Sequence, residues 1–295
     1  MTIRQQLARL LHHRRDLVGI NRRNVELVYA QNPRKHYPIA DDKLLCKVHL
    51  ERAGVPVSRT IVTCDGLRDI PATLRALEDH AEFVVKPAHG SGGAGIVVVG
   101  ERVTGGWRRA GGGKVTLRDL HRHLADIVFG AYSGDLTDRA FVEERIVPHQ
   151  TFVELWADGL CDLRVITLRG TPVMAMVRVP TLQSGGRANL HQGGLGLAVD
   201  LATGHTVRAV HRGRSVTHHP ESNAPLVGLA LPAWDQVLEV ARAAAGGVPL
   251  GYLGVDIVVD RERGPLVLEI NARPGLEIQN VHGRGLAAAI AEVGA

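Results

Sequence analysis

Residues 253–275 of this chain are LGVDIVVDRERGPLVLEINARPG, the most informative stretch of its sequence. Two runs rich in β-branched and aliphatic residues flank residues 261–264, a charged turn that ends in glycine. Such an arrangement predicts a β-hairpin. In the simplest pairing Asp260 lies opposite Pro265, and the register of both strands follows from that pair.

Three oxygen-bearing side chains converge in this register. Asp256 lies opposite Glu269, and the period-two alternation of a strand sends Glu269 and Asn271 to the same face. Carboxylate and amide oxygens suit Mg²⁺, which shares the rest of its coordination shell with substrate phosphates. The alternative is a surface hairpin with solvated acids, but acids inside Val/Leu strands need a reason. The hairpin therefore predicts a metal-nucleotide site.

The composition is that of an ordinary globular protein, with 45% hydrophobic residues in 295 and a mean hydropathy of +0.01. That length suffices for two or three lobes. No run approaches the length of a bilayer-spanning helix, and residues 1–10 lack the apolar centre of a signal peptide. Three scattered cysteines give no disulfide framework. We expect no membrane span and a reducing, cytoplasmic location.

The net charge of +5 raises the question of nucleic acid binding. Aromatic residues make up only 4% of the chain, so stacking platforms for single strands are scarce. An acidic or phosphorylated ligand explains the basic surplus equally well. We expect no nucleic acid partner.

Short helices and strands are intermixed along the chain. Asp41 is the expected N-cap of a helix that ends near Ala53, with Gly54 as its C-cap, and leucine spacing predicts a helix within residues 1–30. Other helices are predicted at residues 71–80, 117–130 and 234–245, and strands at 57–62, 82–86, 96–99, 140–147, 163–168 and 173–179, the last two joined by a turn at 169–172. This mixture predicts an α+β fold in several lobes.

Residues 90–95, GSGGAG, follow a predicted strand that ends in Lys86. Glycines allow backbone N–H groups to cradle phosphate oxygens, and the lysine adds a cation. A dinucleotide-binding fold needs the run to open a helix, but residues 96–99 predict a strand. A P-loop needs Gly-Lys-Ser/Thr, whereas Gly113 and Lys114 precede valine. The remaining interpretation is a flap that folds over a triphosphate.

Three further segments have two interpretations each. Residues 141–147 are either a connector that contacts adenine and ribose or an exposed edge strand. Arg164 either forms a purely structural ion pair with Asp162 or contacts an anionic ligand. Arg178 has no local acid, so a phosphate or carboxylate ligand is expected there. The polar loop at residues 189–194 is either a ligand contact or a plain turn.

Together these segments resemble the ATP-grasp superfamily, in its α-L-glutamate ligase-like (RimK-related) branch. The resemblance runs from about Gly19 to Gln279. Its most specific parts are residues 40–43, 85–87 with the glycine run, 162–165 and 268–275. Residues 19–24 resemble that branch's own signature. The resemblance implies an α+β ATP-grasp fold, with the nucleotide held between two α+β lobes and a shortened N-terminal region.

The resemblance implies a role for each matching position. The residues it assigns to ATP are Lys43, Lys86, Gly90, Ser91, Gly92, Gly93, Gly95, Glu143, Glu144, Arg145, Ile146 and Arg164. Those of the glycine run form the flap, and those at 143–146 form the adenine hinge. The residues that hold one or two Mg²⁺ ions, with Mn²⁺ as a substitute, are Asp256, Glu269 and Asn271. The catalytic residues, which face the γ-phosphate and a substrate carboxylate, are Arg178, Asn189 and Arg273.

The implied reaction is ligation of a carboxylate and an amine through an acyl phosphate, adding glutamate or another amino acid to a peptide or small acid. The absence of a candidate protein nucleophile in the sequence agrees with this chemistry. The alternatives are an ATP-grasp kinase and a non-catalytic nucleotide-binding subunit. A basic RNA-binding protein is the least favoured alternative.

The predicted domains are an N-terminal segment (residues 1–40), an ATP-grasp N-lobe (41–145) and a C-lobe (146–295). Residues 1–40 are too few for the α/β domain that usually precedes this fold. We therefore expect substrate recognition by the basic N-terminus, by residues 180–222, or by a second subunit in a homo-oligomer.

Overall fold

The computed structural model describes residues 16–90, 92–134 and 137–294. The chain divides into two compact units. We call Asp41–Val48 with Val57–Val147 the glycine-loop unit, and Met1–Ala40, His49–Pro56 and Pro148–Ala295 the hairpin unit. Each contains one antiparallel sheet with helices, which confirms the predicted α+β class. Most of the helix predicted within residues 1–30, and Ser91, lie outside the described residues.

The elements are numbered in chain order. The strands are β1 (Thr60–Cys64), β2 (Phe83–Pro87), β3 (Val97–Val103), β4 (Gly106–Arg109), β5 (Lys114–Val115), β6 (Ala140–Glu143), β7 (Asp162–Leu168), β8 (Thr171–Val179), β9 (Leu195–Val199), β10 (Thr206–His211), β11 (Arg214–Val216), β12 (Tyr252–Asp260) and β13 (Gly264–Asn271). The α-helices are α1 (Ile20–Arg22), α2 (Tyr37–Asp41), α3 (Lys43–Arg52), α4 (Ile70–Ala76), α5 (Leu117–Val128), α6 (Gln150–Leu155), α7 (Trp234–Gly246), α8 (Glu277–His282) and α9 (Leu286–Glu292). A π-helix (Arg23–Tyr29) follows α1, and 3₁₀ turns occupy Arg34–His36, Leu67–Asp69 and Leu190–Gln192.

The glycine-loop unit is built on a six-stranded sheet with the order β1-β6-β2-β3-β4-β5. Its core packs the apolar faces of α4 and α5 against this sheet, with Phe83 and Trp107 in edge-to-face contact at 5.5 Å between ring centroids. Thr116 and Asp119 form a capping box that starts α5, because each side chain accepts a hydrogen bond from the other's backbone N–H. β2 ends just before the glycine run and β3 begins just after it, and His123 of α5 forms a hydrogen bond with the carbonyl oxygen of Gly95 at 2.8 Å.

The hairpin unit is built on a seven-stranded sheet with the order β11-β10-β9-β8-β7-β12-β13. All nine residues of β12 are buried, and α7 packs against β7, β12 and β13. Burial on both faces explains why β12 is a nearly continuous apolar run, and why its acid Asp256 needs partners.

The N-cap of α3 differs from the prediction by one residue. Asp41 ends α2, and the carboxylate of Asp42 accepts hydrogen bonds from the backbone N–H groups of Leu44 and Leu45 at 2.9 and 3.0 Å. Both residues are acceptable caps, so the sequence did not distinguish them. Gly54 follows the helix with a positive φ of 71°, as its predicted C-cap role requires.

The register of the β12–β13 hairpin is confirmed at the acids but not at the turn. Asp256 lies opposite Glu269, as predicted, whereas Asp260 pairs with Gly264, so the turn is one residue shorter than predicted. A β-bulge beside Asp256 leaves Leu268 as an extra residue and restores the predicted partner.

Candidate active site

A cluster of two acids and two arginines lies on one face of the hairpin unit's sheet. Arg164 donates from Nε and Nη2 to Asp256 Oδ1 and Oδ2 at 2.7 and 2.5 Å. Arg178 donates to both oxygens of Asp162 at 2.5 and 2.8 Å, and to Asp256 Oδ2 at 2.7 Å. The side chains of the two arginines are 13% and 14% exposed. Such bidentate pairs fix guanidinium and carboxylate in one geometry.

The expectation that Arg178 lacks an acidic partner is wrong, and so is the pairing of Asp162 with Arg164. The turn between β7 and β8 has two residues rather than four, Arg169 and Gly170, with φ angles of 50° and 81°. This turn and a bulge in the β7–β8 ladder place Asp162 directly opposite Arg178. Arg164 lies opposite Asp256 on its other side.

The three predicted metal ligands converge beside this cluster. Asn271 Nδ2 lies 3.3 Å from Asp256 Oδ2 and 3.5 Å from Glu269 Oε1. Turning the amide over presents its oxygen to the same point, which makes a set of hard oxygen donors that fits Mg²⁺. Within the described ranges no group of three or more His, Cys, Asp or Glu side chains could hold a metal. The predicted donor set is two carboxylates and one amide, and the assignment of these three side chains as metal ligands stays a prediction.

The two acids of the cluster have opposite pKa shifts. Burial raises the pKa of Asp162 to about 6, and the nearby charge of Asp256 adds to this effect, although Arg178 opposes it. Burial acts on Asp256 in the same direction, but Arg164 and Arg178 together outweigh it and lower its pKa. Asp256 thus stays ionised, as a metal ligand must.

Asn189 and Arg273 have contacts outside the cluster. The Asn189 side chain accepts a hydrogen bond from the backbone N–H of His191 at 3.0 Å and caps the 3₁₀ turn of its loop. Arg273 is exposed, and its guanidinium carbon lies 4.9 Å from the ring centroid of Tyr37. Their catalytic roles remain predictions.

Asn32 is a residue of this region that the sequence analysis missed. Its buried amide donates to the carbonyl oxygens of Tyr252 and Ala272 at 2.7 and 2.8 Å, and accepts from the backbone N–H of Tyr252 at 2.9 Å. These bonds tie the start of β12 to the residue that follows Asn271. Arg23 adds a hydrogen bond to the carbonyl oxygen of Pro274 at 3.1 Å.

The glycine run needs its glycines for two reasons. Gly90, Gly92, Gly93 and Gly95 have φ angles of 137°, 64°, 78° and 74°, a region that other residues rarely adopt. A Cβ on Gly95 would also lie 2.6 Å from Cγ of Tyr132. Glycines at these positions allow the backbone to turn its N–H groups toward phosphate oxygens, so the flap stays a prediction.

A buried carboxylate lies beneath two lysines in the same unit. Lys47 pairs with Glu143 at 2.8 Å, and Lys86 pairs with its other oxygen. Burial would raise the pKa of Glu143, but the two lysines outweigh burial and lower it. Lys47 was missed, although it lies one turn after Lys43 on the predicted helix and therefore on the same face. Lys43 itself donates to the carbonyl oxygen of Gly90 at 2.6 Å, which anchors the base of the glycine run.

The other hinge residues have partners at the surface. Glu144 pairs with Arg59 at 2.7 Å, and Arg145 pairs with Glu82 at 3.0 Å. Ile146 is buried, with 7% of its surface exposed. An adenine contact at this segment would therefore use its backbone, and it stays a prediction.

Comparison with known proteins gives one family match and a set of relatives. The model of the sugar-transfer associated ATP-grasp family matches residues 22–295. A probable α-L-glutamate ligase of Sodalis glossinidius (strain morsitans) is 26% identical over 252 residues, which is 84% of this chain and 62% of that protein. A ribosomal protein bS6–L-glutamate ligase of Shigella boydii serotype 4 (strain Sb227) is 28% identical over 240 residues, 81% of this chain and 57% of that protein. The chain thus spans about three fifths of the length of these curated relatives.

Among solved structures, the RimK domain ATP-grasp protein of Sphaerobacter thermophilus DSM 20745 is 14% identical, with a TM-score of 0.48. The alignment covers 89% of this chain and 70% of that one. In the described part of the chain, no helix is both long and apolar enough to cross a membrane.

Proposed function

This chain belongs to the sugar-transfer associated ATP-grasp family, and from that premise we propose that it is an ATP- and Mg²⁺-dependent carboxylate–amine ligase. The observation that carries the proposal is the convergence of Asp256, Glu269 and Asn271 beside two arginines on one sheet face. This is the donor set that a metal-bound triphosphate requires. A cytoplasmic location is part of the same proposal.

The reaction joins a carboxylate to an amine. The substrate carboxylate takes the γ-phosphoryl group of ATP, ADP leaves, and the amine then displaces phosphate and loses a proton to form the amide. ATP supplies the phosphoryl group, and Mg²⁺ bound with it would neutralise part of its charge. The protein needs no covalent nucleophile for this chemistry, only groups that position and stabilise charge.

The hairpin unit has two tasks in this reaction. Asp256, Glu269 and Asn271 would hold one or two Mg²⁺ ions. Arg164 and Arg178 keep Asp256 ionised and fix its orientation, since both donate directly to its oxygens. Arg178 and the exposed Arg273 are our candidates for stabilising negative charge on the transferring phosphoryl group.

The glycine-loop unit would bind the nucleotide phosphates. Lys86 forms an ion pair with Glu143 within its own unit, which orients its ammonium group. Lys43 holds the base of the glycine run, so the run can move as a flap about a fixed point. A closed flap would keep water from an activated carboxyl group.

The substrates are proposed at the level of chemical class. Curated relatives are named as ligases of L-glutamate, one of them acting on a ribosomal protein. We propose that this chain joins an amino acid, with glutamate as the first candidate, to a peptide or small acid. An ATP-grasp kinase, which would stop at the phosphorylated product, is the alternative.

The test is ADP release from Mg-ATP across a pool of amino acids and short acidic peptides. A ligase releases ADP only when both a carboxylate and an amine are present, and Glu269→Gln abolishes the release. Release that ignores the amine supports the kinase instead. No release from any pair, with ATP still bound, overturns the proposal.

A further inference from the structure

A cavity of about 580 Å³ opens in the hairpin unit, away from the residues assigned above to metal and nucleotide. Its apolar lining includes Leu190, Val210 and Val281, and its polar lining includes His191, Arg212 and Arg284. Ligand-binding cavities in proteins usually have about 300–1,000 Å³, so this one suits a molecule the size of one or two amino acids.

Strand register places this cavity on the same sheet face as the acid–arginine cluster. Arg178 on β8 lies directly opposite Gly196 on β9, which lies directly opposite Val210 on β10. Directly opposed residues point to the same face. A Cβ on Gly196 would clash with Val281 and lie 2.9 Å from Leu190, so both of these lining residues cover that face.

The cavity is also close to the cluster. Neighbouring strands lie about 4.8 Å apart, so the two steps from Arg178 to Val210 correspond to about 10 Å along the sheet. That spacing is about the length of an extended amino acid or dipeptide. A ligand held in the cavity can therefore extend one end toward the site of phosphoryl transfer.

The floor of the cavity is a fixed structure. The buried side chain of Gln279 accepts hydrogen bonds from the backbone N–H groups of Val18 and Leu286, both at 2.9 Å, and donates to the carbonyl oxygen of Val18 at 3.0 Å. The same residue lines the cavity. This part of the cavity wall is already ordered before a ligand binds, which reduces the entropic cost of binding.

The charge at the cavity comes from arginine. Arg212 lies in the turn between β10 and β11 and is exposed. Its guanidinium group has no hydrogen bond or ion pair with any residue that the structure describes. Arg284 is paired with Glu292. Glu277 also lines the cavity, but its carboxylate accepts a hydrogen bond from Asn280 at 3.0 Å. Arg212 is thus the cation at this cavity that is available for an anionic ligand.

We propose that this cavity is the binding site of the acidic substrate, an amino acid or short peptide with a carboxylate that Arg212 recognises. This inference rests on the proposed ligase function for its choice of a carboxylate over other anions. The apolar lining would contact the aliphatic part of the ligand, and Arg212 would hold the carboxylate that does not react. The other carboxylate would then face the cluster.

The test is calorimetric titration of the whole chain without nucleotide. The probes are L-glutamate, L-aspartate and L-glutamyl-L-glutamate, with L-glutamine and inorganic phosphate as comparisons. Arg212→Gln removes the charge and keeps the length of the side chain. Arg214→Gln is the matched control, because Arg214 is exposed in β11 next to the same turn but does not line the cavity. Leu17→Trp reduces the cavity volume without changing its charge.

We expect at least one acidic probe to bind, with an affinity about tenfold or more lower in Arg212→Gln, as for loss of a charge-assisted hydrogen bond. Arg214→Gln should bind as the wild type does, and Leu17→Trp should lose binding. Tighter binding of phosphate than of every acidic probe, equal effects of the two arginine variants, or no acidic probe bound at millimolar concentration would each overturn the inference.

The same variants separate this inference from the proposed function. If acidic probes bind at Arg212 but ADP release never depends on an amine, the cavity stands and the ligase proposal fails. If ligation occurs and Arg212→Gln leaves the KM of the acid unchanged, the ligase stands and the cavity proposal fails.

Discussion

Arg164 on β7 and Asp256 on β12 lie directly opposite each other, and two hydrogen bonds of 2.7 and 2.5 Å join their side chains. Arg178 adds a third bond to the same carboxylate from the next strand over. The two arginines lower the pKa of this buried acid, so Asp256 is held ionised and oriented by the sheet itself. We expect this preorganisation to be the main contribution of the sheet to catalysis.

Asp256→Asn should destabilise the protein by about 3–5 kcal/mol, because it leaves two buried guanidinium groups without their shared anion. Chemical denaturation, followed by the fluorescence of the tryptophans, measures the loss. Glu262→Gln, in the exposed turn of the same hairpin, is the control and should change stability by about 0.5 kcal/mol or less. Equal stability of the two variants would show that the arginines do not depend on Asp256.

Glu143→Gln should destabilise the protein by about 3–5 kcal/mol at neutral pH, because Lys47 and Lys86 lose their buried counter-ion. The lowered pKa of Glu143 sets the pH dependence. Its contribution is fully present above its ordinary pKa of 4.5 and is lost as the pH falls through the lower folded-state value. The difference in stability between the wild type and Glu143→Gln should therefore become smaller below pH 4.5.

Melting temperatures measured from pH 7 down to pH 3 test this dependence. Glu144→Gln is the neighbouring control, since its pair with Arg59 is at the surface and should contribute about 1 kcal/mol or less. If the melting temperature of Glu143→Gln were lower than that of the wild type by the same amount at every pH, the ion pairs of Glu143 would not be the source of its contribution to stability.

Asn32→Ala should cost about 2–4 kcal/mol, because it removes three buried hydrogen bonds and leaves backbone groups at Tyr252 and Ala272 without partners. Asn21→Ala, in the exposed turn of α1, is the control. Hydrogen exchange at the amide of Tyr252 gives a local measurement. No faster exchange in Asn32→Ala would show that Asn32 does not hold the start of β12.

Gly95→Ala should weaken ATP binding and lower the melting temperature more than Gly112→Ala does. Both glycines have positive φ, 74° and 87°, so backbone strain is matched. Only Gly95 has a neighbour in the way, since a Cβ there would lie 2.6 Å from Tyr132, whereas nothing lies within 4 Å of Gly112. We expect an additional cost of about 1–3 kcal/mol from this clash. Equal melting temperatures of the two variants would show that the glycine run relaxes and avoids the clash with Tyr132.

The sequence predicted the local parts of the site better than the parts that depend on register. Asp256 and Glu269 share one hairpin, and their predicted pairing is correct because a bulge compensates for the shorter turn. The partner of Arg178 depended on a two-residue turn and a second bulge, neither of which changes the hydrophobic pattern. The predicted register was wrong by one residue, which was enough to separate Asp162 from Arg178.

Other partners could not be predicted, because the chain brings them together over long separations. Asn32 reaches β12 across 220 residues, and no pattern near Asn32 indicates that contact. Lys47 reaches Glu143 across 96 residues, although its position one turn after Lys43 was visible in the sequence. The backbone conformation of the glycine run was predictable, because glycine is the residue that tolerates positive φ.

The most direct test of the ligase proposal is hydroxamate formation, with hydroxylamine in place of the unknown amine. An activated carboxyl group reacts with hydroxylamine, so a pool of acidic amino acids and peptides can be assayed without knowing the natural acceptor. We predict hydroxamate that requires Mg-ATP, matches the ADP released, and disappears in Glu269→Gln, with folding of the variant checked by circular dichroism. ADP release without hydroxamate, or the same yield from Glu269→Gln as from the wild type, would contradict the account.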